Sequence, residues 1–270
     1  MHKIAIAQVS SSTKKDENLS LALALIKEAK GEGAQLIAFP EFLMAFSPAN
    51  QTAEELAALA EPVDGPFVTA LRDAARAARI GILATIYERC ASSHRVYDTA
   101  VWIDNQGGVV AVYRKLHLYD AFGFKESDKF LAGDEVAPLV TIGDGRFGMM
   151  ICYDLRFPEM ARMLALAGAN VMIAPSGWVQ GDLKVEHWQT MIKARALENG
   201  CFMIAPNQVG NIYTGHSMAV DPLGRTMVDL GERPGLKVVE LDLRLVDEVR
   251  EKLPLLKNRR LDVYQKHLKT

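Results

Sequence analysis

Cysteine is scarce in this 270-residue chain, and the three that occur (Cys90, Cys152 and Cys201) are odd in number and far apart, so no disulfide framework is expected. No apolar run reaches the roughly 18 residues that a membrane helix needs. Neither sign of charge dominates: 31 lysines and arginines against 33 aspartates and glutamates leave a net charge of −2, which gives no reason to expect a nucleic-acid or membrane-surface partner. No proline- or glycine-rich linker, repeat or low-complexity tract divides the chain, so a single domain over 1–270 is expected. HExxH, paired CxxC and histidines four apart are all missing, which removes the usual zinc signatures, and there is no Walker motif. The N-terminal MHKIAIAQV runs straight into a strand pattern, without the character of a signal or transit segment. Hydrophobic residues make up 49% and charged residues 24%, which suits a chain able to bury a sizeable core without staples. The expectation is a soluble, cytoplasmic globular protein.

Two periodicities alternate along the sequence. Strand-like runs occupy 3–9, 35–39, 81–87, 96–103, 109–113, 138–142, 147–151, 170–175, 201–205, 217–221, 226–230 and 236–241. Helical spacing separates them at 16–31, 67–79, 158–168 and 184–199, with Asp16 expected as the first N-cap and Gly31 as that helix's stop. Asn105–Gly108, Gly143–Arg146 and Asp221–Gly224 read as turns. Gly143, Gly145 and Gly148 spell GxGxxG, but the following MMIC is strand-like where a dinucleotide fingerprint needs a helix, so these glycines belong to a hairpin. Helices alternating with buried strands and hairpins predict an α/β fold, a mixed sheet with helices outside. The 116–134 stretch is the one long segment without clear periodicity, and loops of that length are usually functional or mobile. The 253–270 tail is basic and polar and is expected to lie on a neighbouring surface.

Three residues stand just past strand ends. Cys152 follows the run 147–151 and precedes a helix near Pro158, a setting expected to favour the thiolate and make it the most reactive of the three thiols. A buried core cysteine is the alternative. Glu41, in AFPEF, follows the run 35–39; a carboxylate held there could act as a general base. Lys115, in YRKLHL, ends the run 109–113. Ligands of α/β folds collect at the carboxyl ends of strands, so these three can converge, although each charge alone would also fit a solvated loop. None of the six histidines forms a local signature with Cys152.

The segments FPEF, YRKLHL and ICYDLRFPE, in that order and spacing, resemble the three signature motifs of the nitrilase superfamily, the carbon–nitrogen hydrolases. The likeness runs from AIAQV to GHSMAVDPLG and the NRR near residue 258. YDLRFPE is similar to the amidase branch that includes omega-amidase and deaminated glutathione amidase; nitrilases proper carry tryptophan–glutamate where this chain has Tyr153 and Asp154. The resemblance implies an α-β-β-α sandwich that forms four layers on dimerisation through its helices, and a Glu41–Lys115–Cys152 triad. It adds Glu126, in FKESDKF, which would otherwise read as a solvated loop charge. Pocket-shaping segments would be 43–52, 119–130 and 178–184.

The implied reaction is hydrolysis of a small linear carboxamide through a Cys152 thioester. Glu41 would be the base, Lys115 and the Tyr153 N–H the oxyanion donors, and Glu126 a positioning group. No cofactor or metal is required, because a thiolate needs no external activation. Tyr153, Ser176, Gly177 and Trp178 are expected to line the pocket, Asp154 and Arg156 to hydrogen-bond the turn, and Trp188, Met160, Met163 and Met191 to serve packing or a homodimer or higher homo-oligomer. An N-carbamoyl compound or a nitrile could use the same triad, and a silent binding member of the fold is the remaining alternative.

Overall fold

The computed structural model describes residues 1–267 of the 270. In chain order the elements are β1 (His2–Gln8), α1 (Lys15–Gly31), β2 (Leu36–Ala38), α2 (Ala53–Leu59), α3 (Pro66–Ala78), β3 (Gly81–Arg89), β4 (Val96–Ile103), β5 (Val109–Arg114) and β6 (Phe130–Leu131). There follow β7 (Val140–Ile142), β8 (Gly145–Met149), α4 (Pro158–Leu166), β9 (Val171–Ile173), α5 (Lys184–Asn199) and β10 (Phe202–Ala205). The rest comprises β11 (Val209–Gly210), β12 (Tyr213–Thr214), β13 (Met218–Val220), β14 (Thr226–Asp229), β15 (Gly235–Leu241), α6 (Arg244–Lys252) and α7 (Leu261–His267).

The period-two alternation of the strands decides the layers. In β1, Ile4 and Ile6 join one apolar cluster while Ala5 and Ala7 join another. The first cluster lies between two sheets and continues under α4 and α5; the second fills the space between the first sheet and α1 and α3. The result is helix, sheet, sheet, helix. The first sheet has the order β15-β1-β2-β3-β4-β5, with β6 pairing β4, and the second β14-β13-β10-β9-β8-β7. Each has three parallel strands at its heart, β1-β2-β3 and β8-β9-β10, flanked by antiparallel neighbours. This mixed α/β sandwich agrees with the expected fold class.

The observed elements differ from the sequence reading in several places, among them the helices of the first half. Helix α1 starts at Lys15 without a side-chain cap, and Asp16 sits in its first turn beside Glu17, where acids favour the positive end of the helix dipole. Helix α2 went unpredicted, although Thr52 and Glu55 cap it reciprocally: the Glu55 N–H donates to Thr52 Oγ1 at 3.1 Å and the Thr52 N–H to Glu55 Oε2 at 2.8 Å. The GxGxxG glycines do serve the hairpin β7–β8, and a Cβ on Gly148 would stand 3.1 Å from Leu164 of α4. Met160 and Trp188 are core residues, whereas Met163 is 46% exposed. Residues 268–270 of the basic tail lie outside the described range. Among the described residues no helix is long and apolar enough to cross a membrane.

Trp102 of β4 meets Phe147 of β8 across the inter-sheet core, with ring centroids 5.5 Å apart. Trp102→Ala should therefore cost about 3–5 kcal/mol by urea unfolding, because the two sheets cannot collapse onto the cavity left behind. A loss below about 1 kcal/mol would contradict this placement of the core.

Candidate active site

The carboxyl ends of β2, β5 and β8 open on one edge of the sandwich, and each delivers one of the expected residues there. Beyond β2, the turn that carries Glu41 is pinned by Thr85 of β3, whose hydroxyl donates to the Pro40 carbonyl at 3.1 Å and accepts from the Leu43 N–H at 3.3 Å. Gln208 Nε2 donates to the Glu41 carbonyl at 2.9 Å, and the Gly177 N–H to Glu41 Oε2 at 2.6 Å. Glycine is required at 177: a Cβ would stand 2.9 Å from both Phe42 and Tyr213. Beyond β5, the Lys115 N–H donates to the Asp98 carbonyl at 2.9 Å, and Lys115 is 1% exposed.

Cys152 opens a five-residue 3₁₀ turn, Cys152–Arg156, with φ of 43°, a left-handed conformation rare for a residue with a Cβ. Its N–H donates to the Pro175 carbonyl at 2.9 Å. Asp154, fully buried, ties this turn to the lysine loop. Its Oδ2 accepts from the Tyr113 hydroxyl (2.6 Å) and the Ile151 N–H (2.9 Å), and its Oδ1 pairs with the His117 N–H (3.1 Å) and Nδ1 (2.7 Å). This is the turn-bonding role expected for Asp154.

Glu126 comes from the segment that periodicity left unexplained. A 3₁₀ turn at Glu126–Asp128 folds it inward, and the Tyr119 N–H donates to its Oε2 at 2.5 Å. The Lys115 ammonium then donates to Glu41 Oε1 at 2.8 Å and to the Glu126 oxygens at 2.8 and 2.9 Å. Burial alone would lower the Lys115 pKa, but attraction to Glu126 and Glu41 outweighs it and holds the group well above its ordinary value. Glu126 itself is pushed up by burial, against the pull of Lys115. Glu41, Asp98 and Glu126 have the composition of a metal-ligand set. Here Lys115 Nζ supplies the cation among them.

One expectation reverses. Burial, reinforced by the neighbouring Glu41 carboxylate, pushes the Cys152 thiol well up despite the nearby lysine, so the resting residue is a thiol. The physical reason is local: α4 does not begin until Pro158, and a single 3₁₀ turn is too short to supply a strong dipole.

These groups floor a cavity of about 350 Å³. Tyr153, Gly177 and Trp178 line it as expected, but Ser176 does not: it is fully buried behind the wall, its hydroxyl donating to the Ala174 carbonyl at 2.9 Å. All three segments expected to shape the pocket contribute, through Ser47 and Ala49, residues between Tyr119 and Lys129, and residues between Trp178 and Lys184. Two cations that the sequence reading did not place in the pocket also face it. Arg156, expected to bond the turn, lies with its guanidinium carbon 4.6 Å from the Trp178 ring centroid, and its buried Nε has no hydrogen-bond partner among the described residues. Lys184 donates to the Tyr119 hydroxyl at 2.6 Å, and burial lowers its pKa. Ile212 and Tyr213 of the β11–β12 hairpin complete the wall.

The thiols should accordingly react in an order unlike that of a stabilised thiolate at Cys152. Hydrogen bonding to Ser92 lowers the pKa of the more accessible Cys90, while burial lifts Cys201 to about 12. Brief iodoacetamide treatment at neutral pH followed by peptide mapping should find Cys90 labelled first and Cys201 untouched. Labelling of Cys152 ahead of Cys90 would contradict the buried-thiol assignment.

Over residues 3–251 the sequence matches the carbon-nitrogen hydrolase family. It is 36% identical to the deaminated glutathione amidase of Escherichia coli O157:H7 over 257 residues, spanning 95% of this chain and 97% of that one. To the deaminated glutathione amidase of Rattus norvegicus it is 35% identical over 277 residues, 97% of this chain and 83% of that one. The structure superposes on the C. elegans NitFhit protein with a TM-score of 0.91 at 32% identity, covering 97% of this chain and 66% of that longer one. An amidase from Nesterenkonia sp. AN1, seen with acrylamide added at its active-site cysteine, gives a TM-score of 0.81 at 27% identity, over 98% of this chain and 99% of that one. With near full-length relatives named as amidases and an ammonium–carboxylate cluster beside a buried thiol, the chain belongs to the carbon–nitrogen hydrolase family, in the amidase branch of the nitrilase superfamily.

Proposed function

We propose that this protein is an amidase that hydrolyses a small linear carboxamide carrying a carboxylate at its far end, by way of a Cys152 thioester. One observation carries the reading: the Lys115 ammonium, 2.8 Å from both Glu41 and Glu126, shares a single cavity with Cys152.

In the proposed reaction Glu41 takes the thiol proton as Cys152 Sγ attacks the amide carbonyl. Proton transfer has to accompany attack, since burial keeps the resting thiol protonated. Lys115 and the backbone N–H of Tyr153 stabilise the oxyanion, each such donor being worth roughly a hundred- to a thousandfold in rate. Glu41 returns the proton to the nitrogen, and ammonia leaves with the C–N bond's electron pair. Water, deprotonated by the same carboxylate, then splits the thioester and releases the acid. Glu126 holds Lys115 in register throughout. The distal carboxylate is assigned to Arg156 and Lys184, which put two cations into the cavity wall with no carboxylate bonded to either among the described residues.

Cys152→Ala should fold normally and lose activity by roughly a thousandfold or more, read as ammonia release from a panel of short amides. Consumption of only nitriles or only N-carbamoyl compounds by the wild type would instead assign the triad to that chemistry. Arg156→Gln should raise KM roughly ten- to a hundredfold for an amide ending in a carboxylate, and by much less for an uncharged amide of the same length. An equal rise for both substrates would remove Arg156 from carboxylate recognition.

A further inference from the structure

Asp98 is a buried carboxyl beside the Lys115 cluster that the proposed reaction does not use. It lies on β4 within the inter-sheet face, opposite Tyr87 of β3, and is 1% exposed. Neither of its oxygens has a hydrogen-bond partner among the described residues. Lys115 Nζ is 4.0 Å from Asp98 Oδ2, beyond hydrogen-bond distance, and an ammonium has only three protons to give. Its partners within hydrogen-bond distance are instead Glu41 Oε1 and both oxygens of Glu126. A buried carboxylate without a single donor is among the costliest groups a fold can hold. A buried carboxylic acid needs only one acceptor. Candidate acceptors are oxygens of Glu41 and Glu126, which with an Asp98 oxygen lie within 4.8 Å of one another.

We propose that Asp98 is a positioning residue that sits in the resting site as a neutral carboxylic acid, its proton turned toward Glu41, so that Glu41 and Glu126 remain the two ionised partners of Lys115. Charge counting gives the same answer. With Asp98 neutral, the cluster of Lys115, Glu41 and Glu126 carries one net negative charge; an ionised Asp98 would make it two, in a cavity about to receive an oxyanion. The groups that face Asp98 are Glu41 from the β2 end, Lys115 from the β5 end, Glu126 from the 3₁₀ turn and Tyr87 from β3. Burial and the Glu41 charge both favour the protonated form, and Lys115 is too distant to reverse them.

This rests on the roles given above to Glu41 and Lys115, but its main test needs no turnover, so the two can fail separately. Infrared difference spectra of the full-length resting enzyme at neutral pH, wild type minus Asp98→Asn, should show a protonated carboxyl C=O band belonging to the wild type. The absence of that band would overturn the proposal. In kinetics, Asp98→Asn keeps a donor in place and should hold kcat within roughly tenfold of the wild type, whereas Asp98→Leu should lose roughly a hundredfold or more. An ionisation of the wild-type kcat profile above the ordinary carboxylate range, belonging to Asp98, should be missing from the profile of Asp98→Asn. An asparagine variant that folds yet is as inactive as the leucine variant would show that the charge of Asp98 is what matters, and would overturn the proposal. Should the leucine variant fail to fold, the infrared band and the asparagine pH profile decide the matter.

Discussion

A lysine ammonium removed from water is the constraint on which this structure depends. Lys115 is 1% exposed, and its charge is tolerable only because the Glu41 and Glu126 carboxylates both pair with it. That requirement reaches far into the fold. Glu41 must be delivered from β2 and Glu126 from a folded-in loop, and each must be fixed well enough not to leave the cation alone. The Gly177 N–H fixes the first and the Tyr119 N–H the second, so donors from the other sheet and from the loop orient the carboxylates. A thiol placed next to this cluster meets a base and a cation at once.

Strain accompanies that delivery. Phe42 and Cys152, beside the ends of β2 and β8, both hold positive φ, at 60° and 43°. Such conformations cost of the order of 1–3 kcal/mol each and persist where the surroundings over-determine them. Around Cys152 the surroundings are the Pro175 carbonyl and the four contacts of Asp154, which bind the nucleophile's turn to the lysine's loop. The sandwich thus acts as a clamp: parallel strands from two sheets end at one edge, and side chains crossing between them hold the distance from base to thiol.

The sheet was legible in the sequence because its strands are buried on both faces and so read as apolar runs: IAIA in β1, ILATIY in β3 and VMI in β9 need no alignment to be seen. The β11–β12 hairpin was not, since strands of two residues have no periodicity to detect, yet it carries part of the cavity wall. Glu41, Lys115 and Cys152 could be found as strand-end residues, whereas Glu126 needed the family motif, because nothing local distinguishes a loop glutamate that folds inward. Asp98 and Lys184 were not singled out, and Arg156 was expected to bond the turn, for a different reason. Each owes its significance to a missing partner or a facing wall, which exists only in three dimensions. The thiol's pKa failed similarly: proximity to a helix start is legible in sequence, but burial, the larger effect, is not.

The central claim is that the buried thiol becomes the bond-forming atom. The most direct measurement is intact mass of the wild-type enzyme acid-quenched during turnover of a short carboxamide, with peptide mapping and a parallel reaction containing hydroxylamine. The account predicts an adduct on the Cys152 peptide with the mass of the substrate less ammonia, and formation of the hydroxamate at the expense of the acid. Continued ammonia release with neither adduct nor hydroxamate would mean that water attacks the amide directly, and would contradict it.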